Sequence, residues 1–268
     1  MPNKRSPMVP PRRLHTLLEG RALLEIGLLP VFAPLLASTP RGDGHPVLVV
    51  PGFTANDWTL GGLRRFLRSR GYRVYGWGFG QNKGFQKKFA QALEQKVRYL
   101  HHRHRRKVSI VGWSLGGVYA FFTAHQAPEC IRQVISLGSP MRMTPEGIGT
   151  PLVVRALYRF LAHPMGPVAH VANVRAKVLR SPPPVPSTCI YSDTDGVVPS
   201  ASAQLDISDG PHENIWVPGS HLGLGFNAAV MWILADRLAQ DEEHWRPFEP
   251  QGVAGTIYER IAALPHVC

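Results

Sequence analysis

Apolar and polar positions along this chain follow two alternating periods. Short apolar, β-branched runs recur at "HPVLVVPGF" (45–53), "YRVYGWG" (72–78), "KVSIVG" (107–112), "QVISLGSP" (133–140), "STCIYSD" (187–193) and "ENIWVPGS" (213–220). Runs of this length, ending in Gly, Pro, Ser or Asp, predict buried strands that enter loops. Between them the period lengthens to that of a helix. Leu60, Leu63 and Leu67 recur at helical spacing within 59–70, with Gly71 following as a C-cap. Phe85, Phe89, Leu93, Val97 and Leu100 form one stripe along 85–105, and two further helices are predicted over 114–125 and 226–239. Strands alternating with helices predict an α/β fold: a mostly parallel central sheet with helices on both faces. Residues 141–186 break the alternation between two core strands and are expected to form a cap or lid insertion. The expected organisation is an N-terminal helical segment over 1–44, a core over 45–240 that carries this insertion, and a C-terminal extension over 241–268.

The first segment changes the picture. Lys4, Arg5, Arg12 and Arg13 precede an apolar stretch in the manner of a signal peptide, but Glu19, Arg21 and Glu25 interrupt its first half. The uninterrupted part, 26–37, contains Pro30 and Pro34 and reads as too short to span a bilayer. Residues 14–29 are therefore expected to form an amphipathic helix, packed on the body or lying on a membrane surface. A cytoplasmic or peripheral membrane location is favoured over export by a cleaved signal.

Composition narrows the partners. The 268 residues are 44% hydrophobic and 18% charged, which excludes a disordered chain. The net charge of +12 favours anionic surfaces. No basic–aromatic pattern tracks a nucleic-acid strand, so a nucleic-acid partner is not expected. Cys130, Cys189 and Cys268 are widely spaced without a CxxC pair, which argues against a disulfide framework and a zinc site. Cys189, in a predicted strand, is expected to act as a small buried hydrophobe.

Candidate chemistry centres on "VSIVGWSLGGVY" (108–119). A G-x-S-x-G pattern alone is weak, but here a strand precedes Ser114 and a helix follows it. Such a turn is crowded, so Gly112 and Gly116 remove side chains on either side and Gly117 adds room. The helix N-terminus would aim the Leu115 N–H at a developing oxyanion. "VVPGFTAND" (49–57) offers the Phe53 N–H as a second donor. Later in the chain "SDTDGVVP" (192–199) offers Asp193 and Asp195 as the acid, and "SHLGLG" (220–225) offers His221 as the base. All three loops lie just past strand ends, where α/β sheets place their chemistry. His101, His102 and His104, at the end of a long helix, read as a solvated face. "GWGFGQNKG" (76–84) fails the dinucleotide pattern and is expected to flank the site, with Trp77 or Phe79 facing an acyl chain.

"VVPGF", "GWSLGG", "YSDTDGVVP" and "GSHLGLG", in this order, resemble the bacterial lipase/esterase family of the α/β-hydrolase superfamily, over roughly residues 46–240. The resemblance implies an α/β-hydrolase fold with a cap insertion and a serine hydrolase that cleaves small acyl or lipid-like carboxylic esters through an acyl-enzyme. It assigns Ser114, Asp195 and His221 to catalysis, with Asp193 as the alternative acid, and Phe53 and Leu115 to the oxyanion hole. It implies neither metal nor cofactor. Where many relatives have His-Gly at the oxyanion loop, Pro51 precedes Gly52 here, which bears on loop rigidity and substrate preference. An acyltransferase with the same three residues, and a non-catalytic basic module that binds surfaces, are the alternatives.

Overall fold

The computed structural model describes residues 9–142, 181–207 and 210–263. Its described strands are β1 (Pro46–Val50), β2 (Arg73–Gly76), β3 (Val108–Trp113), β4 (Ile131–Leu137), β5 (Ser187–Tyr191) and β6 (His212–Trp216). They form one sheet in the order β2-β1-β3-β4-β5-β6, and every neighbouring pair is parallel. The described helices are α1 (Arg13–Leu17), α2 (Ala22–Ala37), α3 (Gly61–Ser69), α4 (Lys87–His104), α5 (Leu115–Gln126), α6 (Ala228–Ala239) and α7 (Gly252–Ala262). Most of the expected cap, residues 143–180, lies outside the described residues.

Both faces of the sheet are covered, and the strand residues alternate accordingly. Leu48, Val50 and Ile110 pack with Leu93 and Val97 of α4 and Val118 and Phe121 of α5. Val47, Val49 and Val111 pack the other way, with Leu63 and Leu67 of α3 and Val230 and Leu234 of α6. From β1 the chain steps outward to β2, then returns past β1 to β3. The crevice above the carboxyl ends of β1 and β3 is thus a topological switch point, the position where open α/β sheets bind ligands. Cys189 is fully buried in β5, and burial pushes its thiol up to about 12.

The N-terminal helical run is longer than the helix expected over 14–29. α1, a 3₁₀ turn (Leu18–Arg21) and α2 follow one another without a break, and α2 is apolar on every side, Glu25 being its one charged residue. Pro30 and Pro34 each remove one backbone donor, but they do not end the helix. The whole run Arg13–Ala37 is 25 residues, long and apolar enough to cross a membrane by length and composition. Counting only the uninterrupted apolar residues understated its length.

At the amino ends of the strands lies a polar network in which His45, Ser109 and Arg132 are buried and Asp43 reaches the surface. His45 Nδ1 is 2.5 Å from Asp43 Oδ1 and its Nε2 is 2.8 Å from Ser109 Oγ, while Arg132 donates to Asp43 Oδ2 at 2.7 Å. Burial first, then the Arg132 charge, pushes the imidazole down to about 4 against the opposing pull of Asp43. The folded state therefore holds His45 neutral between pH 6.5 and 4, while the unfolded chain binds a proton there. Stability must rise with pH across that window. At about 1.4 kcal/mol per pH unit, the loss from pH 6.5 to 4 approaches ~3 kcal/mol. Urea unfolding at a series of pH values is expected to show this slope, and His45→Gln is expected to flatten it; an unchanged slope in the variant would remove His45 as its source.

Candidate active site

Ser114 sits where β3 ends and α5 begins, with φ 53° and ψ −122°. A non-glycine residue in this region costs about 1–3 kcal/mol and persists only where its surroundings fix it. Here Ser114 N donates to Leu137 O at 2.8 Å, and Ser114 O accepts from Gly117 N at 3.0 Å. The turn has no room for side chains on either side. A Cβ on Gly112 would lie 2.4 Å from Gly117 N, and one on Gly116 would lie 2.2 Å from Val50 O.

The loops after β5 and β6 meet this turn. His221 Nε2 is 3.0 Å from Ser114 Oγ, and His221 Nδ1 is 2.7 Å from Asp195 Oδ2. The carboxylate on His221 is thus that of Asp195, the second of the two candidate aspartates. Its other oxygen accepts from Val197 N at 2.8 Å and Val198 N at 2.7 Å, which fixes its orientation. Trp113 Nε1 donates to His221 O at 3.0 Å. Asp195 and His221 are both buried, whereas Ser114 is partly exposed. Burial acts to lower the His221 pKa, but the Asp195 charge, its hydrogen bond and the Glu19 charge outweigh this and hold it above the ordinary value.

The loop after β1 closes against the same serine. A Cβ on Gly52 would fall 3.0 Å from Ser114 Cβ, a contact so tight that its neighbours would have to shift by a few tenths of an ångström. Phe53 follows it, and Leu115 heads α5 as its first residue, where a backbone N–H has no intrahelical acceptor. Asn82 braces this loop. Its buried side-chain amide donates to Pro51 O at 2.9 Å, and its backbone pairs with Thr54 N at 2.7 Å and Ala55 O at 2.8 Å. Asp57 in turn holds Trp77 N and Gly78 N, both at 2.7 Å. The loop at 76–84 thus supports the loop after β1. Trp77 does not face an acyl chain: it is fully buried in the core with Phe79, Phe89 and Tyr119 around it, because strand β2 directs it under α4 and α5.

Sequence reasoning missed Asn82 and, more consequentially, the N-terminal segment. Glu19 Oε1 accepts from Gly196 N at 2.7 Å and His221 N at 3.0 Å, and its Oε2 accepts from Leu222 N at 2.9 Å. Glu25 Oε1 accepts from Ser220 N at 2.8 Å, Arg21 donates to Thr194 O at 2.8 Å, and Thr16 Oγ1 donates to Gly196 O at 2.7 Å. The available signal was the set of charges breaking an apolar run, which has no reason to be there unless those charges have partners. Gly196 and Gly223 answer it from the other side, since Cβ atoms there would strike His15 O at 2.5 Å and Glu25 Oε2 at 1.9 Å.

A second serine, histidine and aspartate line up in this protein, at His45, Asp43 and Ser109, and the contrast is instructive. Ser109 is fully buried within β3, with no strained turn, no helix N-terminus and no route for a substrate. Among the described residues, no group of three or more His, Cys, Asp or Glu side chains is arranged to hold a metal ion.

No protein-family profile and no curated protein matches the sequence. Solved structures do match it. One, described for LipS and LipT, two metagenome-derived lipolytic enzymes, is 18% identical with a TM-score of 0.55, over 75% of this chain and 94% of that one. A monoacylglycerol lipase of Paleococcus ferrophilus is 14% identical with a TM-score of 0.52, over 74% of this chain and 96% of its own. The mature Bacillus licheniformis lipase BlEst2 is 15% identical with a TM-score of 0.55, over 76% and 95%. Together with the all-parallel sheet and the elbow between β3 and α5, these likenesses identify the chain as a protein of the α/β-hydrolase fold.

Proposed function

We propose that the protein hydrolyses carboxylic esters through an acyl-enzyme on Ser114. The observation that carries this reading is the hydrogen-bonded line Ser114–His221–Asp195 beginning at a strained, partly exposed turn. In the reactive tautomer the Ser114 hydroxyl donates to His221 Nε2, and Nδ1–H donates to Asp195. Ser114 Oγ attacks the ester carbonyl as His221 takes its proton, and the Leu115 and Phe53 amides receive the oxyanion. Each such donor contributes about 3–4 kcal/mol to the transition state. His221 then gives the proton to the departing alcohol. Water, deprotonated by His221, attacks the acyl carbon, and collapse of the second tetrahedral intermediate frees Ser114 and the carboxylic acid. Asp195 keeps the imidazole in this tautomer and stabilises the imidazolium.

The three similar structures are a monoacylglycerol lipase, a lipase and a lipolytic enzyme, which supports a lipid-like ester as the substrate class. A fluorophosphonate probe is expected to label the protein, and p-nitrophenyl esters to be turned over. Ser114→Ala is expected to remove labelling and to lower kcat by roughly 10⁴-fold or more. A folded wild type that neither labels nor hydrolyses esters of any chain length would overturn the reading.

The raised His221 pKa fixes the sign of the pH dependence. The base must be neutral, so kcat/KM is expected to rise with pH through a midpoint above 6.5 and then level off. Asp195→Asn is expected to lower kcat by about 10⁴-fold, whereas Asp193→Asn is expected to stay near wild type. The reverse ranking, measured with the same ester, would move the acid role to Asp193.

A further inference from the structure

The run Arg13–Ala37 has two unlike sides. Inward, Thr16, Glu19, Arg21 and Glu25 bind the loops around Asp195 and His221. Outward it is almost bare: within its most apolar stretch only 11% of residues are buried. Leu17 is 81% exposed, Leu23 75%, Leu24 71% and Val31 69%. One more large apolar side chain is exposed beside it: Leu222, whose amide Glu19 holds. An exposed apolar face of this extent requires cover and marks an interface.

We propose that this face docks on an anionic lipid surface. Two observations select the occupant. Arg12 and Arg13, both exposed, stand at the start of the apolar run, the arrangement that suits phosphate headgroups above an acyl phase. The chain also carries +12, so a second copy would bring the same charge to the same face, whereas an anionic bilayer is attracted. The inward hydrogen bonds hold the helices along the domain, so the face lies in the plane of the interface. The docked protein would present the crevice at Ser114 to esters of the bilayer, a consequence that rests on the hydrolase reading; the docking itself does not.

The test therefore uses full-length protein carrying Ser114→Ala and needs no turnover. Vesicles of phosphatidylcholine with phosphatidylglycerol are expected to sediment it, more weakly as salt rises. Leu17→Gln, Leu23→Gln, Leu24→Gln and Val31→Gln combined are expected to lower the partition by roughly tenfold or more, and Arg12→Glu with Arg13→Glu to weaken it at low salt only. All substituted side chains are exposed, and circular dichroism checks the fold. Absence of sedimentation at low salt, or undiminished sedimentation of the four-glutamine variant, would overturn the proposal. So would a vesicle-free dimer that this variant abolishes, which would give the face to a second copy.

An independent observation, the three amides held by Glu19, assigns it a second role: a positioning residue for His221. It acts through the backbone at His221 and Leu222 and through its charge on the imidazole. Glu19→Gln keeps the shape, but its amide nitrogen faces an N–H and the charge is lost. With a soluble p-nitrophenyl ester that the wild type is first shown to hydrolyse, kcat is expected to fall by about 10²-fold with KM little changed. The midpoint of the kcat/KM–pH curve is expected to move down, because the charge that helps hold His221 up is gone. Glu25→Gln, which loosens Ser220 and the Arg21 and Asn227 contacts but leaves the amides of His221 and Leu222 held by Glu19, is expected to lower kcat without moving that midpoint. A lower Tm with unchanged kcat and midpoint in Glu19→Gln would make Glu19 merely structural. Should Glu19→Gln fail to fold, a Glu25→Gln protein of wild-type kcat would equally overturn the positioning role of this segment.

Discussion

Helix α5 starts in contact with β1, and that closeness governs the rest of the molecule. Gly116 lies so near Val50 O, and Gly112 so near Gly117 N, that one methyl group at either position would push the elbow open. With both glycines in place the chain turns sharply enough to hold Ser114 at positive φ. Its side chain is then displayed at the switch point between β1 and β3 while the helix N-terminus lies beneath it. The loop after β1 approaches closely, and the missing side chain of Gly52 eases that contact. The serine, the start of α5 and the loop at Gly52 are therefore brought together by packing distances rather than by any strong local preference of the sequence.

The histidine and the acid come from strands on the far side of β3, and loops of that kind need fixing. Parallel strands order their carboxyl ends but leave the connecting backbone with unpaired amides, each costly if buried without an acceptor. Val197 N and Val198 N are satisfied by Asp195 itself. Gly196, Ser220, His221 and Leu222 are satisfied by two carboxylates from the N-terminal segment, nearly two hundred positions away in sequence. The same carboxylate that satisfies these amides adds charge near the imidazole. Structure and proton affinity are thereby set by one side chain.

What could be read from the sequence follows the range of the forces involved. The sheet and its covering helices were legible because periodicity in β1, α3 and α4 is local, and because each strand ends in turn residues. The fold class follows from that alternation, and its likeness to solved α/β hydrolases agrees. Ser114, Asp195 and His221 could be picked as candidates because each sits directly after a strand, so that sheet order alone brings their loops together. The span of the N-terminal helix was not legible, because Pro30, Pro34 and the charged residues look like breaks when their partners are unknown. Asn82 was hidden for a similar reason: its role depends on Pro51 O, which lies in another loop. Trp77 was misread because the direction of a side chain leaving β2 depends on what α4 and α5 place beneath it.

The two serine–histidine–aspartate lines show why residue types and distances do not define a site. At the amino ends of the strands, His45 lies between Asp43 and Ser109 at spacings as short as those of His221, yet burial and Arg132 drive it towards the neutral form. A guanidinium there opposes the very imidazolium that general-base chemistry must form. At the carboxyl ends the nearby charges are Asp195 and Glu19, both negative, and both favour the imidazolium. The difference lies in the sign of the surrounding field and in whether the serine is displayed by a strained turn. On both counts Ser114 differs from Ser109, and the N-terminal segment, through Glu19, supplies part of that field.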